Sequence, residues 1–152
     1  NVNNNCSTGS SALFLARLRT DLNSAVIAPD TSVSNPAQLS ATSDQLSFMV
    51  YSSREARALP VVYRYQASES GGSIFRREGG DSERELIKNR VASLTWQTDL
   101  ERFIEPEGTS SGTLRISIGL DLKLKMRSGD EKPFALKTFI FPARLNRQLN
   151  SP

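Results

Sequence analysis

Between Ser10 and Ala28 the apolar positions recur with the period of a helix. At about 100° per residue, Phe14, Leu15, Leu18, Leu22, Ala25 and Val26 gather on one side, as a helix lying on a core requires. Arg17 and Asp21 are read on the polar side. Leu13 and Ile27 also fall off the stripe, where solvent would favour charge. Pro29 and Asp30 end the helix, because proline disfavours helical geometry in the residue before it. Ahead of it, residues 1–9 form a polar flank, and residues 30–44, rich in Ser, Thr, Asn and Pro, read as a surface loop.

The period then changes from 3.6 to 2. "QLSFMVY" alternates Leu46, Phe48 and Val50, and "VVYRYQ" alternates Val61, Tyr63 and Tyr65, so each predicts a half-buried strand. "SREARALP" joins them with room for a short helical turn. "SESGGS" predicts a turn into "SIFRRE", which makes a hairpin, and "REGGDSERE" reads as a charged loop. In "LIKNRVASLTWQ" the alternation of Ala92, Leu94 and Trp96 favours a strand after Asn89, with Trp96 in the core. "ERFIEPEGTSSGT" reads as an acidic loop. "LRISIGLDLKLKM" places Leu114, Ile116, Ile118, Leu120, Leu122, Leu124 and Met126 at every second position. Its other face is wet, the usual arrangement of an antiparallel sheet, and Gly119 is expected to mark a bend or bulge. "RSGDEKP" turns the chain, "FALKTFIF" returns as a partner strand ended by Pro142, and residues 143–152 read as a polar tail.

A chain of 152 residues is the usual size of one domain. Its apolar runs are too short to cross a bilayer. It opens on Asn1 rather than methionine, which reads as a processed or a cut chain from which any leader or anchor has already been removed. Nineteen basic and 16 acidic residues leave a net charge of +3, too weak a bias to point to nucleic acid. Cys6 is the only cysteine, which excludes an intrachain disulfide and a multi-cysteine zinc site. Asn5-Cys6-Ser7 fits a glycosylation sequon with nothing else to support it.

Histidine is absent, so the Ser-His-Asp and Cys-His arrangements and histidine-bearing metal sites are impossible. No phosphate-binding glycine motif occurs; Gly71-Gly72 and Gly79-Gly80 read as turns. Asp99, Glu101, Glu105 and Glu107 supply oxygen ligands that could bind calcium or serve as an acid/base pair, but their spacing matches no EF-hand. The basic stripe of Arg115, Lys123, Lys125 and Arg127 is interrupted by Asp121 and has no interleaved aromatic, and so reads as a solvated face.

Taken in order, the helix with Leu18-x-x-Asp21-Leu22, "LSFMVY", "VVYRYQ" leading to "SIFRRE", and "LIKNRVASLTW" before "LRISIGLDLKL" resemble the pilin-like superfamily from Ser11 to Pro142. More narrowly they resemble a minor pseudopilin of bacterial type II secretion, nearest the J type, or a minor pilin of type IV pili. The resemblance implies an α+β, pilin-like fold in which the N-terminal helix packs on antiparallel β-sheet. The chain would be one soluble head, with a helix at 10–28, a β-rich region at 45–141 and a tail at 143–152. It implies an upstream apolar helix that holds the subunit in the inner membrane, with the head in the periplasm or in a surface filament.

The same resemblance implies a structural subunit without enzymatic activity or cofactor. Its partners would be I-type and K-type minor pseudopilins near the tip of a pseudopilus that supports protein export. Leu13, Arg17, Thr20 and Ile27 are the candidate partner-binding residues, since they lie off the core stripe and include unexplained apolar groups. The competing readings are a periplasmic or extracellular binding module whose loops between Phe103 and Gly112 or Ser68 and Gly72 hold a ligand, and a carboxylate enzyme.

Overall fold

A computed structural model describes residues 2–27, 39–103 and 113–150. The order of elements is α1 (Val2–Asn23), β1 (Ser40–Ala41), β2 (Gln45–Ser52), β3 (Arg57–Gln66), β4 (Gly72–Glu78), β5 (Arg84–Phe103), β6 (Thr113–Leu124), β7 (Ala135–Ile140) and α2 (Ala143–Leu149). Each strand pairs antiparallel with the next, giving one seven-stranded meander in the order β1-β2-β3-β4-β5-β6-β7. Sequential pairing of this kind needs only turns, and turn chemistry is what separates the alternating runs.

This architecture corrects the expected fold class. The chain is a β-rich fold, a single sheet with one helix at each end, and not a pilin-like α+β fold. Strand reaches into segments read as loops: Arg57–Leu59 pair with β2, and Arg84, Glu85 and Glu101 to Phe103 belong to β5, a strand of 20 residues. Edge-to-edge pairing satisfies the backbone of these polar residues just as it does for apolar ones.

The helices cover one face. Phe14, Leu18 and Leu22 of α1 and Leu145 of α2, each fully buried, share a core with Leu46, Phe48, Val61, Tyr63, Ile74, Val91 and the inward residues of β6. The sheet curls enough for Trp96 Nε1 on β5 to donate to the carbonyl of Thr42 at 2.6 Å. Ring packing fixes α1 further, with Phe14 edge-on to Tyr63 at 6.0 Å between centroids and Phe48 stacked on Tyr63 at 6.4 Å.

Several local expectations change. The helix runs Val2–Asn23 rather than 10–28, so it continues back through the polar flank and stops earlier. After Asn23 the backbone lies along β2: Ala25 bridges Val50, and Val26 N donates to Met49 O at 3.1 Å. Those ladder bonds compete directly with continuing the helix. In β5, Val91 and Leu94 are buried while Ala92 is exposed, because the register with β6 shifts between Val91 and Ser93. One extra residue there reverses the alternation. Gly119 carries no shift; it pairs with Gln97 and Phe139 in unbroken ladders. A side chain there would press Gln97 Cγ and Phe139 Cε1, each 3.3 Å from the added carbon.

The tail expected at 143–152 is helical over Ala143–Leu149. β7 pairs with β6 only at residues 118–123, leaving the outer edge of Leu114 and Ile116 without a strand. Asn146 and Asn150, one helical turn apart, take that place. Asn146 Oδ1 accepts from Ile116 N at 2.8 Å and its Nδ2 donates to Ile116 O at 3.1 Å. Asn150 makes the same two bonds to Leu114, each 2.9 Å. Two side-chain amides thus finish a sheet edge that would otherwise be open.

Candidate partner-binding site

At helical spacing Leu13, Arg17 and Thr20 fall on one face of α1, opposite Phe14, Leu18 and Leu22. All three are exposed, Leu13 by 71%. Ile27 is 42% exposed but lies beyond the end of the helix. Its backbone N donates to Gln148 Oε1 of α2 at 3.2 Å. Three of the four candidate residues therefore share a surface, and the fourth is tied to the other helix.

Asp21 departs from its predicted outward place. It is 5% exposed and sits inside the helix–sheet interface. The spacing carried the signal: Asp21 lies seven residues from Phe14, roughly 20° around the helix from a core residue. Arg76 of β4 grips it with two bonds, Nε to Oδ2 at 2.7 Å and Nη2 to Oδ1 at 2.9 Å. The Tyr63 hydroxyl donates to the same Oδ2. Arg17 Nε stands 3.6 Å from Oδ1, and Arg76 Nη2 is 3.9 Å from Glu78 Oε2. Burial of a charge is tolerable only with such pairing.

The titration of the network follows from its geometry. Burial first, and then the neighbouring Asp21 charge, push the Tyr63 hydroxyl well above the ordinary tyrosine range, so it stays a donor. Burial alone would lower the Arg76 value, but its hydrogen bonds to Asp21 and the Asp21 charge outweigh that and hold the guanidinium above its usual range.

Beside the network, Arg17, Arg54, Arg76, Glu78, Asp81 and Arg84 line an open hollow of about 240 Å³. Arg54 comes from the turn between β2 and β3, and Arg84 stands directly across the ladder from Arg76. Sequence reasoning missed this assembly because its members come from α1, the β2–β3 turn and the β4–β5 hairpin, which meet only in the folded sheet.

The other candidates do not converge. Asp99 and Glu101 are exposed on β5, and Glu101 pairs with Arg115 at 3.3 Å; Glu105 and Glu107 lie outside the described residues. Among the described residues no group of three or more His, Cys, Asp or Glu could hold a metal. Arg115 also lies over the Phe141 ring, while Lys125 Nζ donates to Glu69 O. The 68–72 turn packs onto β5: a side chain at Gly71 would stand 2.1 Å from Asn89 O, and its φ of +133° is a conformation that favours glycine. Residues 104–112 of the second candidate loop lie outside the described residues. A depression of about 170 Å³ opens over Gly119, below the size of ordinary ligand pockets.

Comparison with models of protein families, with curated proteins and with solved structures finds no match. Among the described residues no helix is long and apolar enough to cross a membrane.

Proposed function

We propose that this chain is a non-enzymatic assembly subunit that binds companion subunits through the outward face of α1, in the manner of a minor pseudopilin. The filament would be a type II secretion pseudopilus or a type IV pilus, and the partners other minor subunits in the bacterial cell envelope. The corrected fold class lends this reading no support. What supports it is Leu13, which is 71% exposed on a helix whose opposite side is fully buried.

Covering a leucine side chain completely is worth roughly 1.5–3 kcal/mol, so an exposed one on an ordered helix is a ready anchor for a partner. Arg17 and Thr20 beside it supply the polar contacts that fix register. The test is to mix the purified chain with each companion minor-subunit head from the same genome at tens of micromolar and measure the masses. A defined heterocomplex that Leu13→Ser abolishes is expected. Monomers in every mixture would refute the proposal.

A further inference from the structure

The hollow next to α1 has more positive charge than the fold needs. Arg76 is committed to Asp21 and is 9% exposed. Arg84 is its direct cross-strand partner, a like-charge pairing that costs stability unless a counter-charge lies nearby. Among the described residues neither Arg84 nor Arg54 has an ion pair or a side-chain hydrogen bond, and Arg17 reaches Asp21 only at 3.6 Å. Four guanidinium groups against Glu78, Asp81 and the buried Asp21 leave the hollow, of about 240 Å³, net positive and concave. Surface lysines keep a protein soluble without such convergence. Planar guanidinium groups converging on one space match a carboxylate.

Resting on the assembly reading above, we infer that the hollow receives a glutamate or aspartate side chain from the companion subunit that covers Leu13. The spacing specifies the partner further. Leu13 and Arg17 are one turn apart on α1, so a companion helix lying along it would offer an apolar residue to Leu13 and an acidic residue about one turn away to Arg17, Arg54 and Arg84. The buried Asp21–Arg76 pair holds the floor of the hollow in place, and Arg54 and Arg84 are the exposed groups that contact the incoming carboxylate.

Two arms test this separately from the assembly reading. In the first, glutarate is the probe, titrated at low salt into the ¹⁵N-labelled chain while the arginine side-chain Nε–H resonances are followed. Saturable shifts at Arg54 and Arg84, lost in 0.3 M salt and in Arg54→Ala/Arg84→Ala, are expected; no shift at either overturns the hollow. In the second, the companion head that binds is titrated against Arg54→Glu/Arg84→Glu, with unchanged Trp96 fluorescence confirming the fold. A loss of affinity of about tenfold or more and a flatter salt dependence are expected. Leu13→Ser abolishing the complex while the arginine variants bind as the parent does would leave the face standing and overturn the hollow. No complex with any head would refute the assembly reading, and the glutarate arm would then decide the hollow alone.

Discussion

Replacing Asp21 by alanine should strip the helix–sheet interface of the one buried acidic side chain among the described residues. The carboxylate accepts two bonds from Arg76 and one from the Tyr63 hydroxyl, with Arg17 at 3.6 Å. Without it, the Arg76 side chain, 10% exposed, is left with Glu78 at 3.9 Å as its ion-pair partner among the described residues. Removing one partner of a buried pair costs about 3–5 kcal/mol, mostly for the charge left behind. For a chain of this size that corresponds to a fall in Tm of roughly 6–20 °C, and it is a large share of the 5–15 kcal/mol that typically holds a domain together. Urea unfolding followed by the fluorescence of Trp96, the single tryptophan and 7% exposed, measures it. Asp21→Leu/Arg76→Met, which removes both charges, should recover most of the loss, since a buried ion pair is often replaceable by apolar groups of similar volume. A cost for Asp21→Ala below about 1 kcal/mol, or a double variant as unstable as the sum of its singles, would refute the buried grip.

Tyr63 and α2 give two more predictions. The folded Tyr63 hydroxyl is held protonated, so above about pH 10 the unfolded state binds fewer protons than the folded one, and stability falls as pH rises. Tyr63→Phe, destabilised by about 1.5–3 kcal/mol at pH 7 through the lost bond to a charged acceptor, lacks that slope. The gap between the two proteins should therefore narrow in urea titrations from pH 8 to 11, and a gap that is constant would count against the assignment. Asn146→Ala should cost about 1–2 kcal/mol and speed amide exchange at Ile116, because both of its bonds go to that residue's backbone; exchange as slow as in the parent would show the edge is closed some other way.

The strands were largely legible because each half-buried strand repeats every second residue. Leu46, Phe48, Val50, Val61, Tyr63 and the β6 series from Ile116 to Leu124 are buried as their alternation predicts. The departures have local causes. Alternation puts Ala92 inward, whereas the bulge between Val91 and Ser93 leaves no mark in composition. α2 hid behind its polar residues, which are polar because two asparagines serve as strand surrogates while only Leu145 is fully buried. A meander was not distinguishable from other arrangements of the same strands, since alternation says which face is wet and not which strand is the neighbour. The outward place of Leu13 on α1 was legible as an apolar residue off the stripe. The hollow was not, because Arg54 and Arg84 meet Arg76 only once β2, β3, β4 and β5 are in register.

The direct measurement of the central claim is hydrogen–deuterium exchange of this chain alone and with a companion minor-subunit head. The account predicts protection concentrated on α1 between Ser10 and Thr20, at the β2–β3 turn carrying Arg54 and at the start of β5 at Arg84. Protection confined to the β7 edge or to α2, with α1 unchanged, would contradict it.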